Sequence, residues 1–257
     1  MTAEITSLHR EPGGATRLAA VLDAVARARG ARPAAEVPVL EVGCGNGNLA
    51  VPIAVAGHPV TGIDVDPRSI EEAAARCPVA AHFEVCDPLK YQPAVAPQIV
   101  VLSEVLEHVH DPRALLAHLA LIAAPGARLI LTVPNGLGPW ELMNFAKKLV
   151  TGLGLGAPLR RFQRALGYSG TTLQSHNPHL DHVQFFTKRR LAGLAHAAGW
   201  RTLRRRNLSM FIAVFPVSLA FRRWPALERA DAALARTLPA EAASGWLLEL
   251  ESSAARR

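Results

Sequence analysis

The segment Val39-Leu40-Glu41-Val42-Gly43-Cys44-Gly45-Asn46-Gly47-Asn48 limits the fold more than any other part of the chain. A short apolar run carries Glu41, three glycines follow at alternate positions, and a helix-compatible run occupies residues 49–56. This is the pattern of a buried parallel strand that turns through glycine into a helix N-terminus, where α/β sheets bind nucleotide-like ligands at their carboxyl edge. Glycine is demanded because the turn needs positive φ and because a Cβ would hold a ligand off the backbone. The dinucleotide version, G-x-G-x-x-G, would place its third glycine at position 48, which is Asn48. The observed order is E-x-G-x-G-x-G, beginning at Glu41.

The same alternation continues on both sides. Residues 16–29 place Leu18, Val21, Leu22 and Val25 on one face at helical spacing, with Gly30 as the stop. Strands are predicted at 39–42, 60–63, 81–86, 99–102 and 128–133, and helices at 69–76 and 112–123. Five such alternations in roughly 100 residues specify an α/β, doubly wound parallel sheet. Residues 137–184 break the rhythm with glycine and a helix near 141–151, too long for an ordinary loop, so a helical lid or acceptor-binding insertion is expected. Regularity returns with a helix at 188–198 capped by Thr187, a strand near 200–207, a helix at 227–238 and a last strand at 245–250. The expected layout is an N-terminal helix or cap over 1–36, a ligand-binding core over 37–136, the lid over 137–184, and completion of a mostly parallel, seven-stranded sheet over 185–257. That last part carries an apolar and basic insertion at 207–243.

At 257 residues the chain can bury one sizeable core. Cys44, Cys77 and Cys86 have no metal-ligand spacing, and an odd count makes a poor disulfide framework. No apolar h-region opens the chain, and no apolar run reaches the roughly 20 residues of a spanning helix, so a cytoplasmic protein is expected. The net charge of +7 is unevenly placed. From Lys147 to Arg206, twelve Lys and Arg stand against one acid, Asp181, a net +11 that leaves the remainder at −4. Such a region suggests an anionic acceptor, nucleic acid or an anionic membrane surface, or simply a solvated arginine-rich face.

The strand ends carry the candidate ligand contacts. A ribose needs an acceptor for two hydroxyls, and Asp64, at the end of the second apolar run, lies nineteen residues after Gly45, near the spacing of about 20 seen for such acids. Asp66, before Pro67, reads as a helix N-cap. Asp87, ending the third strand, is placed to accept from an adenine amino group or to start a turn before Pro88. Glu41 points toward the glycine turn, to meet a ligand amino group or to orient the loop.

The E-x-G-x-G-x-G turn resembles motif I of the class I S-adenosylmethionine-dependent methyltransferases. The run from Leu102 through Ser103-Glu104-Val105-Leu106-Glu107-His108 to Pro112 is similar to the signature after strand four in their ubiquinone-biosynthesis-like branch (methyltransferase types 11 and 23). Ala124-Pro125-Gly126, Val133-Pro134-Asn135 and His182-Val183-Gln184-Phe185-Phe186-Thr187 resemble later segments of that branch, in the same order. The resemblance implies a Rossmann-like methyltransferase fold with S-adenosyl-L-methionine as cofactor. It assigns cofactor binding to Glu41, Gly43, Cys44, Gly45, Asn46, Gly47, Asp64, Val65, Asp87, Ser103 and Glu104, and turns the lid toward the acceptor. Enzymes of this kind that methylate exocyclic amino groups carry an Asn/Asp-Pro-Pro-Tyr/Phe motif after strand four, whereas Ser103-Glu104-Val105-Leu106 stands here. That shifts the expectation toward O-methylation of a small or lipid-linked metabolite such as a quinone precursor, glycan or secondary-metabolite intermediate, with carbon and other nitrogen acceptors left open.

A hydroxyl acceptor needs a base, and histidine is the natural one. His108 and His182 are the expected catalytic residues, with His176 and His179 as further candidates. A zinc site from His176, His179, Asp181 and His182 satisfies ligand chemistry, but no metal is expected. Residues 210–221 are apolar between arginines and read as a cover for the acceptor site or as a peripheral contact with anionic membrane on the inner face. The rival readings are an RNA methyltransferase, less expected without an appended RNA module, and a catalytically silent cofactor-binding protein. No sequence feature sets an oligomeric state.

Overall fold

The computed structural model describes residues 13–158, 161, 182–211, 214, 220, 221 and 224–253. A seven-stranded sheet in the order β3-β2-β1-β4-β5-β7-β6 forms its centre. The strands are β1 (Val39–Val42), β2 (Val60–Asp64), β3 (His82–Val85), β4 (Ile99–Ser103), β5 (Arg128–Pro134), β6 (Trp200–Ser209) and β7 (Gly245–Ser252). The first five run parallel, and β7 inserts antiparallel between β5 and β6. The doubly wound, mostly parallel sheet expected from the sequence is the one observed. Around it lie α1 (Gly14–Arg29), α2 (Ala50–Val55), α3 (Pro67–Arg76), α4 (Pro112–Ile122), α5 (Pro139–Val150), α6 (Lys188–Ala197) and α7 (Pro225–Thr237).

Strand periodicity of two divides the apolar residues between two cores. Leu40, Val42, Val100, Leu102, Leu129, Leu131 and Val133 pack with α4, α6, Trp200 and Trp246. Val39, Ile99, Val101 and Ile130 pack on the other face with α1, α2 and Ile70 of α3. Both buried tryptophans satisfy their indole N–H, Trp200 on the Leu116 carbonyl and Trp246 on the Ala240 carbonyl, each at 2.8 Å. Two helices after parallel strands start with the same device: the Asp66 and Asp111 carboxylates accept from the amides of Ser69 and Ala114, with proline next in line. Thr187 caps α6 by accepting from the Arg190 amide, as its position predicts.

These choices put the exits of β1 to β5 along one sheet edge. The strand order reverses between β1 and β4, so the crevice where such sheets bind ligands opens there.

Arg201, Arg204, Arg205 and Arg206 lie on β6, the outer strand of the sheet, where charge discourages edge-to-edge pairing. Arg201 pairs with Glu251, Arg206 with Asp23 at 3.5 Å, and Lys188 with Glu241 at 3.5 Å, so acids elsewhere offset part of the +11. Arg160, Arg164, His176, His179 and Asp181 lie outside the described residues, as does most of the 210–221 segment. Among the described residues, no helix is long and apolar enough to cross a membrane.

Candidate functional site

The glycine turn adopts the backbone its spacing demands. Gly43, Gly45 and Gly47 have φ of 69°, 50° and 79°, all in the region that L side chains avoid. A Cβ on Gly43 would sit 2.4 Å from Val105 Cγ2, so the turn after β1 and the segment after β4 pack without room for a methyl group. The amides of Gly43 and Cys44 both donate to the Ile63 carbonyl, at 2.8 and 3.0 Å, pinning the turn to β2.

Asp64 completes that attachment. One carboxylate oxygen accepts from the Gly45 amide at 2.8 Å and the other from the Asp66 amide at 3.0 Å. Each oxygen retains a second lone pair, so both can still accept from ribose hydroxyls. Val65, next in sequence, is exposed, as is Asp87, whose Oδ1 accepts from the Leu89 amide at 3.0 Å. The turn-starting role of Asp87 is therefore present, and its second oxygen lies 3.7 Å from Lys90 Nζ.

Glu41 is buried, and its carboxyl accepts from the Ala50 amide at the start of α2. Burial pushes this carboxyl well above its ordinary range. Its Oε2 is buried without a hydrogen-bond partner among the described residues. A buried acceptor beside the glycine turn is what a ligand ammonium group would satisfy. Asn46 and Asn48, buried in the loop, are held by Arg76 at the end of α3, which donates to the Asn46 carbonyl at 2.9 Å and to Asn48 Oδ1 at 3.3 Å. The residue that replaces a third glycine thus has a structural partner, one that sequence spacing alone did not reveal.

After β4, Ser103 and Glu104 share Thr132 of β5. Thr132 Oγ1 donates to Glu104 Oε1 at 2.8 Å, which leaves Ser103 to donate to Thr132, also at 2.8 Å. Glu104 has φ 56°, the single positive value at a non-glycine among the described residues. Such a conformation costs about 1–3 kcal/mol and persists only where neighbours enforce it. Here the Glu104 amide donates to the Thr132 carbonyl at 3.1 Å, and Arg17 of α1 approaches Glu104 Oε2 to 3.6 Å.

The short turn Leu106–His108 follows β4. The Glu107 carbonyl accepts from the amides of Val183 and Gln184, at 2.9 and 3.0 Å, and so draws residues from far along the chain onto β4's exit. His108 and His182 meet edge to face, their ring centroids 5.0 Å apart. His182 Nδ1 lies 2.8 Å from Oε1 of Glu141, a buried residue in the first turn of α5. The Glu107 side chain is also buried, with Oε1 4.0 Å from His108 Nε2 and Oε2 unpartnered among the described residues. Burial pushes the Glu107 carboxyl well up, and the charge of Glu104 adds to the shift.

The two expected histidines are thus brought together, whereas Glu141 and Glu107 were not anticipated as members of the site. Glu107 was visible beside His108; Glu141, forty-one residues from His182, left no local signal. One atom from each of Glu107, His108 and His182 lies within 4.8 Å of the other two, close enough to be drawn around an ion. The hydrogen-bond contact at His182 Nδ1 is to protein, through Glu141.

A family model described as a methyltransferase domain matches residues 14–204. A ubiquinone biosynthesis O-methyltransferase from a Caulobacter species is 33% identical over 116 residues, covering 41% of this chain and 44% of that protein. A trans-aconitate 2-methyltransferase from Methylobacterium radiotolerans is 36% identical over 119 residues, covering 41% of this chain and 45% of that protein. The chain spans about half the length of the curated relatives it matches. Among solved structures, magnesium protoporphyrin IX methyltransferase from Synechocystis superposes with a TM-score of 0.58 at 20% identity, covering 94% of this chain and 85% of that one, which is a likeness of fold.

Proposed function

Because the chain belongs to the methyltransferase domain family, we propose that it transfers a methyl group from S-adenosyl-L-methionine to a hydroxyl of a small or lipid-linked acceptor. Bound at the glycine turn, the cofactor would supply an electrophilic methyl group on a sulfonium. The carrying observation is the opposition of two differently built halves at one sheet edge. A glycine turn tied to Asp64 and the unpartnered Glu41 oxygen suit the cofactor, and the paired histidines beyond β4 suit an acceptor that must lose a proton.

In this mechanism Asp64 receives the ribose hydroxyls, Glu41 receives the amino group, and Val65 and Asp87 flank the base. Ser103 and Glu104 form the floor between the two halves. Their hydrogen bonds to Thr132 hold them before any ligand arrives, which serves the alignment that in-line transfer requires. A histidine of the His108–His182 pair accepts the hydroxyl proton as the oxygen attacks.

The names of the relatives point to two acceptor classes, an oxygen acceptor of ubiquinone biosynthesis and trans-aconitate, a carboxylate. The local charge favours the hydroxyl. Arg17 is already matched by Glu104, and a neutral His182 held by Glu141 adds no charge, so neither of these groups offers a spare cation to an anionic acceptor. A lipid-linked acceptor is favoured by α5. Leu142, Phe145 and Leu149 follow one another at spacings of three and four and are all largely exposed, with Lys147 and Lys148 between them. A helix of that kind suits an anionic bilayer surface, and its first turn carries Glu141, the residue that holds His182. Transfer of labelled methyl into fractionated extract tests the proposal, since label in the lipid or small-molecule fraction is required by it.

A further inference from the structure

His108 and His182 are both placed to act as the base, yet their surroundings differ. His182 has a buried carboxylate in hydrogen-bond contact with Nδ1, at 2.8 Å. His108 Nε2 lies 4.0 Å from Oε1 of Glu107, a separation outside hydrogen-bonding range for that oxygen. A carboxylate accepts and cannot donate, so the His182 contact requires the hydrogen to sit on Nδ1. In the neutral ring the lone pair then resides on Nε2.

The surrounding framework fixes the rest of the geometry. Residues 183 and 184 are tied to the Glu107 carbonyl, which anchors the His182 main chain at the exit of β4. The edge-on ring of His108 limits the second torsion. Glu141 itself is held in the first turn of α5, whose preceding residues are fixed in turn: the Leu137 amide donates to Asn135 Oδ1 at 3.1 Å, and Asn135 Nδ2 donates to the carbonyls of Glu241 and Ala243. Two elements, the turn Leu106–His108 and α5, therefore converge on one imidazole.

We propose that Glu141 is a positioning residue of the acceptor site, locking His182 in the Nδ1–H tautomer so that Nε2 is the base, with His108 as the wall that holds the ring. The assignment rests on the hydroxyl-methylation reading above. In the step it implies, the acceptor O–H bond breaks and its proton passes to His182 Nε2, the oxygen forms the new bond to the methyl carbon, and the sulfur keeps the electron pair of the bond that breaks. The imidazolium is stabilised through Nδ1–H by the Glu141 carboxylate and later returns its proton to water.

The test needs no acceptor. Nitrogen-15 spectra of histidine-labelled full-length protein, at a pH where imidazole is neutral, report which ring nitrogen carries the hydrogen, and His182→Asn assigns the signal by its loss. We expect the Nδ1–H form in the parent and in Glu141→Gln, whose side-chain carbonyl still accepts, and the Nε2–H form in Glu141→Leu. If Glu141→Leu does not fold, the parent and Glu141→Gln spectra decide alone. An Nε2–H signal in the parent, or a signal indifferent to Glu141→Leu, would overturn the proposal. Binding of S-adenosylhomocysteine by calorimetry is run alongside and should change less than about threefold in the variants. If the parent does not bind S-adenosylhomocysteine, the methyltransferase reading fails separately, whatever the tautomer.

Discussion

The Gly45 amide donates to the Asp64 carboxylate across 2.8 Å, joining the turn after β1 to the end of β2 through the same side chain that the ribose is expected to meet. In the proposed site, cofactor contact and loop geometry would thereby depend on one side chain. Removing the carboxylate frees two buried-edge amides, those of Gly45 and Asp66, as well as the ligand contact.

Asp64→Ala should therefore weaken S-adenosylhomocysteine binding roughly 10- to 150-fold, the equivalent of about 1.5–3 kcal/mol for hydrogen bonds to a charged group. Asp64→Asn keeps one acceptor oxygen and should lose less. Isothermal titration calorimetry checks both, and equal affinities in Asp64→Ala and the parent would remove Asp64 from the site.

Gly43→Ala combines two penalties that can be separated. A non-glycine at positive φ costs about 1–2 kcal/mol, and the added methyl group would meet Val105 Cγ2 at 2.4 Å. The single variant should lose several degrees of Tm and bind cofactor poorly. Adding Val105→Ala should return part of the loss, because it relieves the contact and leaves the φ penalty. Thermal melts of the two singles and the double measure that coupling, and strict additivity would contradict the packing described.

Glu107 gives the stability a pH dependence of known sign. Its ordinary carboxyl value is 4.5, and burial holds the folded-state value well above that. In the window between, the folded protein keeps a proton that the unfolded chain has released, so stability falls as pH rises, by at most about 1.4 kcal/mol per pH unit for this group. Glu107→Gln removes the titration. Its Tm, compared with the parent's in the absence of ligand, should gain on the parent as pH is raised from about 5 to about 8; parallel curves would mean that Glu107 is ionised in the fold.

The exposed stripe of α5 predicts binding to vesicles that contain anionic lipid. Leu142→Glu, Phe145→Glu and Leu149→Glu together should abolish co-sedimentation while leaving S-adenosylhomocysteine affinity unchanged. Phe211→Asp with Phe215→Asp probes the apolar segment 210–221 in the same assay, and loss confined to that pair would move the contact there.

Features governed by neighbours in sequence were legible before the fold was known. The strands, the Asp66 and Thr187 caps and the positive-φ glycines all follow from local spacing, and each appears within a residue or two of its expected place. What escaped were pairs that only folding creates. Arg76 holds the loop of Asn46 and Asn48 from thirty residues away or nearly so, and Arg17 reaches Glu104 from α1. Glu141 reaches His182 only because α5 and the chain entering α6 both return to the exit of β4. Four arginines of the basic run, Arg201, Arg204, Arg205 and Arg206, are adjacent or nearly so in sequence, and folding places them on an edge strand, where Arg201 meets Glu251 of β7 and Arg206 meets Asp23 of α1.

The central claim is methyl transfer to a hydroxyl on a lipid-linked or small acceptor, and labelled methyl from S-adenosylmethionine, followed into fractionated cell extract, tests it most directly. Label should appear in the lipid or small-molecule fraction with S-adenosylhomocysteine formed in equal amount, and both should be lost in His182→Asn. Label in the RNA fraction, or no S-adenosylhomocysteine from a protein that binds it, would contradict the account.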